Sequence, residues 1–458
     1  MTTERKYNLR NYLAISLGAL AGQGPAMYLV SSYASFVYTE YIGLSAALVG
    51  IILSIGALID GVSDFACGIV MDRFQTKHGK ARHWLKYMAV PLALSLGFLF
   101  TCPVNVPTAF KFIYLFLMYN IYCTVITFVR LPTVTLTSLI SDDDKVRSNA
   151  SLFVGILATV GGTVSGMIVT PLTEMFGGQC REGYIGCMAV VAVVSGLCSL
   201  AAFFLSKERA TITEEKVEVK AEKIGVWTMI KTLVTNKYWL YCMGGNIFSS
   251  FAFGLIMSTV AYFCTYTLGD PSAIGAIYAV CTLPMLVGIL LAGVLNNKFD
   301  CLKVNNVGRV ICIIGCAISL GFGADNGLFL LLLGRGMFVF GMGLADPASY
   351  VFLGRCATYG QWKTGVVQEG MVFSGRDVMR KITTALSAAL IGFVLSAAGY
   401  TGAGNMPASG IAAINSLSVY IPLVCSAIAF VFYLFFRLNT KRVDEMKAEI
   451  LARESAES

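Results

Sequence analysis

Apolar residues run along this chain in long blocks, and the charged residues gather in the short breaks between them. Twelve such blocks, each roughly 20–30 residues, lie near 10–38, 43–71, 84–102, 107–137, 148–173, 184–206, 238–267, 273–296, 304–324, 326–354, 366–398 and 410–437. A helix rises about 1.5 Å per residue, so about 20 residues cross about 30 Å of hydrocarbon. The pattern therefore predicts an all-α membrane protein with twelve transmembrane helices. Glycine and alanine are abundant inside the blocks, which suits close helix contact in lipid. The largest break, 207–237, is charged and separates two sets of six blocks. It predicts an N-terminal six-helix bundle (1–206), a central loop (207–237), a C-terminal six-helix bundle (238–437) and a tail (438–458) that is either a short surface helix or disordered. A weak repeat supports two halves. Gly68 is followed by Asp72-Arg73, and Gly293 by Asn297-Lys298 at the same offsets. Two six-helix repeats around a midplane site is a common transporter layout.

Composition agrees with the pattern. Of 458 residues, 56% are hydrophobic and only 13% charged, against about 25% charged in soluble proteins. Arg5, Lys6 and Arg10 precede an apolar stretch too long for a signal-peptide core, so a first span is expected there. The net charge of +8 has a topological explanation rather than a nucleic-acid one. About 27 of the 34 Lys and Arg residues fall in the termini and even-numbered connections, Arg309 among them. Two, Lys111 and Arg181, fall in the odd-numbered ones. Such asymmetry predicts both termini in the cytoplasm. Most of the 14 cysteines sit in apolar blocks as small hydrophobes; Cys180 and Cys187 share one short outer connection and are candidates for a disulfide. No zinc-protease, nucleophile-elbow or Walker motif is present. The sequence predicts no enzyme, no metal site and no cofactor beyond a coupling ion.

Chemistry concentrates in two spans. Asp60 and Asp64 stand four apart in span 2, on one helix face with Ser63 beside them. Two carboxylates in low dielectric repel unless a cation or proton is shared or a base pairs with them. The residues allow a cation site for Na⁺, Li⁺ or H⁺, or an ion pair with a base from span 11. Span 11 holds Arg376, Asp377, Arg380 and Lys381. Lys381 lies about 15 residues, roughly 22 Å, from the span's entry. Each charge at such depth costs roughly 2.5–3.5 kcal/mol, so these side chains are expected to face a cavity or one another. Asp377 is placed to contact substrate or to bridge to Arg380 or Lys381. Span charges Asp60, Asp64, Asp346 and Asp377 face Arg130, Arg335, Arg376, Arg380 and Lys381, and partial neutralisation of the span 2 acids leaves an excess positive charge that favours an anionic substrate.

The loop after span 2 reads Gly68-x-x-x-Asp72-Arg73, then Gly79-Lys80-x-Arg82, and is similar to the loop signature of the major facilitator superfamily. The stretch "DGVSDFACGIVMDRFQTKHGKARHWL" resembles the span 2 signature of the glycoside–pentoside–hexuronide:cation symporters, the family of the melibiose permease. Residues 359–400, with "YG", "KTG", "EG", a serine and Lys381 in order, resemble a second family region, and "GLSAALVG" and "SKER…NK" add two more. The resemblance implies a major facilitator fold, alternating access, and symport of a glycoside or related sugar with Na⁺ or H⁺ in the plasma (inner) membrane, without obligate oligomerisation. It implies cation ligands at Asp60 and Asp64, and Lys381 near both cation and sugar. A gating latch follows from Asp72, Arg73, Gly79, Lys80 and Arg82. Where the family often has sugar-binding acids in spans 1 and 4, this chain has Gln23, then Asn120 and Thr124; Phe128, Arg130 and Trp362 complete the expected contacts. The span 4 oxygen that assists the family's cation site is expected to be missing, because Ile121 falls there. An aspartate common before "YG" is replaced in "GRCATYG", which carries Arg355. These departures disfavour a neutral galactoside and point to a hexuronide. The other readings compatible with the residues are a carrier of lipid or another amphipathic solute, and a non-transporting membrane sensor.

Overall fold

The computed structural model describes residues 9–457 except 23, 75, 77–78, 80, 141–143, 207–232, 272, 297, 324–326, 366–368 and 401–405. Among them every regular element is helical. Eleven helical stretches are long and apolar enough to cross a membrane, and a twelfth, shorter apolar helix covers Ala89–Phe98. The expected third span is thus divided, α4 (Arg82–Tyr87) and α5 (Ala89–Phe98) meeting at Met88. Span 1 is divided as well, into α1 (Leu9–Gly22) and α2 (Pro25–Glu40). Pro25 has no N–H to continue the ladder and suits a helix start.

The remaining helices are α3 (Ala46–Arg73), α6 (Thr108–Leu139), α7 (Asp144–Met175), α8 (Arg181–Leu205), α9 (Lys237–Tyr262), α10 (Ala273–Asn296), α11 (Cys301–Ser319), α12 (Gly327–Thr364), α13 (Glu369–Ala397), α14 (Ala408–Asn415), α15 (Ile421–Phe435) and α16 (Thr440–Glu457). A π-helical segment, Phe263–Leu268, extends α9, and another, Ser416–Tyr420, joins α14 to α15. The fourteen cysteines are all free thiols. Cys187 is buried, and Cys180 bonds to the Gly177 carbonyl.

Contacts group the chain into two compact units whose borders fall inside spans. Unit 1 comprises Met1–Glu215, Met257–Ala279 and Ala385–Asn415; unit 2 comprises Lys216–Ile256, Val280–Thr384 and Ser416–Ser458. Unit 1 carries an aromatic core in which Tyr278 meets Tyr28 and Tyr33 at 5.2 and 5.8 Å and Phe36 meets Tyr262 at 5.2 Å. Tyr262 also places its hydroxyl 2.8 Å from Thr39 and 3.1 Å from Ser35. Tyr400 donates to the Glu40 carboxylate, and Tyr266 bonds to the same group. Burial, then Tyr262 and Glu40, hold the Tyr400 hydroxyl well above its usual pKa, so it stays a donor. One end of α2 is thereby tied to the ends of α9 and α13.

In unit 2, α11 and α12 lie backbone against backbone. A Cβ at Gly315 would fall 2.5 Å from the Gly334 carbonyl, and one at Gly341 would fall 2.4 Å from the Gly308 carbonyl. The close approach buries Arg309, which sequence reasoning had assigned to a connection. Its Nη2 donates to Asp346 at 3.1 Å, and its guanidinium lies 5.0 Å from the Tyr433 ring. Arg335 is 2% exposed and donates to Ser418.

The tail forms α16, whose Val443 and Met446 are buried against the unit 2 core. Asp300 organises this end. Its carboxylate caps α11 by accepting from Leu302 N at 2.9 Å, and also accepts from Thr440 N at 3.0 Å, Thr440 Oγ1 at 2.9 Å and Arg355 at 3.2 Å. Arg355 in turn donates to the Leu438 carbonyl at 2.6 Å. The arginine that departs from the family pattern is thus part of the tail's anchor. Partial burial alone would raise the Asp300 pKa, but the Leu302 and Thr440 hydrogen bonds and the Arg355 charge bring it down to about 2. A depressed carboxylate stabilises the fold above its unfolded pKa, about 3.9, and loses that contribution as pH falls through the folded value. Asp300→Asn should imitate the low-pH state at neutral pH. We expect limited proteolysis to cut the tail several-fold faster in this variant, and unchanged protection would contradict the anchor.

Candidate functional site

Span 2 and span 4 build the site in unit 1. Asp60 and Asp64 share one face of α3, and Thr127 and Arg130, three apart, share one face of α6. The Thr127 hydroxyl lies 2.9 Å from Asp60 Oδ1 and 3.2 Å from Asp64 Oδ1. Arg130 Nη2 donates to both Asp64 oxygens, at 2.7 and 2.8 Å. Thr127 is fully buried, while Asp64 and Arg130 side chains keep 26% and 17% exposure. A hydroxyl has one proton to donate, so it is shared between the two carboxylates unless one of them carries a proton of its own or a cation.

Arg130, expected as a substrate contact, forms an ion pair with Asp64 from span 4. The missing span 4 oxygen is present after all, supplied by Thr127 rather than at position 121. Ser63 is buried with its hydroxyl turned back to the Asp60 carbonyl at 3.0 Å. Asn120 and Thr124 likewise donate to carbonyls of their own helix. The Tyr122 hydroxyl is buried near Asp60 without a hydrogen-bond partner among the described residues.

The span 11 charges belong to unit 2. Arg376 and Arg380 line one pocket with Met243, Asn246, Ser250 and Thr383, and the Arg376 guanidinium lies 4.2 Å from the Tyr350 ring centroid. Asp377 is exposed and bridges to neither Arg380 nor Lys381 among the described residues; Lys381 is half-buried. Trp362 is not at this pocket. Its Nε1 donates to Glu449 at 2.6 Å, and Arg442 and Arg453 of α16 lie over its ring. The tail claims that tryptophan. Phe128 packs on Trp84 at 5.1 Å. Gln23 lies outside the described residues.

Gly79 and Arg82 of the loop after span 2 are described. Gly79 has φ +102°, open to glycine and strained for other residues, and closes a turn by donating to Thr76 at 2.9 Å. Arg82 donates to the Phe203 carbonyl at 2.7 Å and sits 4.6 Å over that ring, anchoring the loop to α8. Lys80 and the side chains of Asp72 and Arg73 lie outside the described residues.

Comparison with known proteins agrees with this architecture. The chain is 26% identical over 434 residues to the isoprimeverose transporter of Lactiplantibacillus pentosus, covering 93% of this chain and 87% of that protein. It is 27% identical over 432 residues to the inner membrane symporter YicJ of Escherichia coli K12, covering 92% and 91%. Its fold is similar to a crystal structure of a D-xylose-proton symporter, with a TM-score of 0.71 over 94% of this chain and 98% of that one at 14% identity. The MFS/sugar transport protein profile matches residues 15–440. A many-span helical protein with this match is a transporter rather than an enzyme, and the chain belongs to the MFS/sugar transport protein family.

Proposed function

We propose that this protein is a proton-coupled symporter of a glycoside or related sugar, hexuronides included, working by alternating access in the plasma (inner) membrane with both termini cytoplasmic. The relatives' names support the sugar class, and the Lys and Arg distribution supports the orientation. The observation that carries the coupling reading is the Asp60–Thr127–Asp64–Arg130 cluster. Arg130 already holds both Asp64 oxygens, which makes that carboxylate less open to a metal ion. A proton on Asp60 would let that acid donate to the Thr127 oxygen while Thr127 donates to Asp64, satisfying every polar atom along this contact. Loading and unloading Asp60 changes the cluster's charge by one unit, which biases any movement of α3 against α6.

The sugar is proposed to bind near spans 1, 4, 5 and 11, with Asn120, Thr124, Phe128 and Lys381 among its neighbours. Cation and sugar then raise each other's affinity by the same factor. The loop from Asp72 to Arg82 is proposed as the cytoplasmic latch, and 1–206 and 238–437 as the two six-helix repeats. Proteoliposome uptake tests the reading. An inward proton gradient should drive accumulation above equilibrium, and a Na⁺ gradient alone should not. Accumulation driven only by Na⁺ would assign the site to the metal ion, and ligand binding with no uphill uptake under either gradient would leave a sensor.

A further inference from the structure

The acids inside the spans can be sorted by what occupies their oxygens. Asp64 gives both of its oxygens to Arg130, and Asp60 accepts from Thr127. Asp346, near the middle of α12, differs. Arg309 donates to its Oδ1 alone, at 3.1 Å. The other oxygen has no hydrogen-bond partner among the described residues. The pair is also lopsided in depth, since the Arg309 side chain is 1% exposed and that of Asp346 34%. A pair that served only to satisfy the buried arginine would gain by engaging both oxygens, as Arg130 and Asp64 do. This one hides its cation and presents its anion.

The face on which Asp346 stands shows where the anion is presented. Helical residues advance about 100° each. Leu333 and Val351 are exposed apolar residues that suit lipid, and both fall roughly 140° around α12 from Asp346. On the side of Asp346 itself, Ser349 donates to Asn246 of α9 at 3.3 Å, and the Tyr350 ring lies 4.2 Å from the Arg376 guanidinium of α13. Asn246 and Arg376 line one pocket with Ser250. Asp346 thus stands on the pocket's side of α12, one turn or about 5 Å beyond the residues that meet its lining. A ring of pyranose size spans that distance. A carboxylate at mid-span is costly in hydrocarbon, so its open oxygen calls for a polar partner. Arg309 and Arg376 already supply positive charge on this side, which disfavours a cationic ligand and favours neutral O–H donors.

We propose that Asp346 is a specificity-determining residue for the transported sugar: its open oxygen accepts from ring hydroxyls, and span 10 thereby supplies the acid that spans 1 and 4 lack. The proposal rests on the sugar-transport reading. Binding is measured on the purified full chain in detergent, with the methyl β-D-glycosides of glucose, galactose and xylose, each beside its monodeoxy analogues. For a glycoside that binds, at least one missing hydroxyl should weaken binding about tenfold, because it leaves a charged acceptor unpaired. In Asp346→Asn the penalty for that same hydroxyl should shrink to about threefold or less, since hydrogen bonds to a neutral acceptor are weaker. An aspartate that only held Arg309 in place would weaken every ligand alike and leave this ratio where it was. Asp346→Asn strands the buried Arg309, so a second variant, Asp346→Asn with Arg309→Gln, removes both charges and repeats the comparison in case the single variant does not fold.

An unchanged deoxy penalty in the folded variant overturns the proposal. So does a parent protein that binds the glycosides with no penalty for any missing hydroxyl. A parent that binds none of these glycosides strikes at the sugar-transport reading itself and takes the proposal with it.

Discussion

Asp60→Asn is expected to abolish uphill sugar accumulation while leaving the protein folded and able to exchange sugar across the membrane. The reason is local. The asparagine amide keeps an oxygen for the Thr127 hydroxyl, now at 2.9 Å from Asp60 Oδ1, and imitates the neutral state of the carboxyl. The Arg130 guanidinium keeps its own partner, because Asp64 holds it. What is lost is the ability to change charge, and with it the link between gradient and movement. Asp64→Asn should abolish accumulation for a second reason. It leaves Arg130 without its carboxylate in a setting where that side chain is only 17% exposed. Breaking a fully buried pair costs about 3–5 kcal/mol, and the partial exposure here reduces this to roughly 2 kcal/mol or more. A double variant, Asp64→Asn with Arg130→Gln, should recover stability but not accumulation. Uptake under a proton gradient, counterflow exchange and the thermal melt separate these outcomes. Full accumulation by Asp60→Asn would remove the acid from the coupling site.

The same cluster shows how far sequence reasoning reaches. The long apolar blocks named the fold because a membrane demands them, and two acids on one face of span 2 named the site because nothing apolar explains them. The pairing of Asp64 with Arg130 was not foreseen. Arg130 is 66 positions from Asp64 in the chain, and no local periodicity reports which helices become neighbours. A signal was present, since Thr127 and Arg130 stand three apart and place a hydroxyl and a cation on one face of span 4. The search for a family-type ligand at position 121 drew attention past them. Trp362 was misread for the opposite reason. An aromatic near the end of span 10 suits a sugar, but a tail that folds into a helix occupies it, and that tail's helix-or-disorder alternative is decided by burial of Val443 and Met446 rather than by its polar sequence. Arg309 escaped notice because a residue at a predicted span edge is indistinguishable from a loop residue until its helix is placed.

The glycines between spans 9 and 10 were legible only as composition, and they carry the second large prediction. Gly308 and Gly315 stand two turns apart on α11, as Gly334 and Gly341 do on α12. The helices run so that Gly315 faces Gly334 and Gly308 faces Gly341. At all four positions the atoms nearest to an added Cβ include neighbouring backbone within 2.6 Å. Backbone cannot rotate out of the way as a side chain can, so the whole helix must shift. The shift would also pull Arg309 from Asp346 and Cys312 from the Phe338 carbonyl, to which its thiol bonds at 3.3 Å. Gly315→Ala should cost about 1–3 kcal/mol as an overpacking change, and Gly315→Leu should exceed what the bundle can absorb. We expect the leucine variant to lose the monodisperse, cooperatively melting fraction of purified protein. Gly354→Ala, on the same helix as Gly334 but with open space around the added Cβ, is the matched control and should melt like the parent, since a mid-helix glycine is slightly unfavourable to begin with. A Gly315→Leu protein with an unchanged melt would mean that the two backbones do not touch at this position, and the burial of Arg309 would then need another cause.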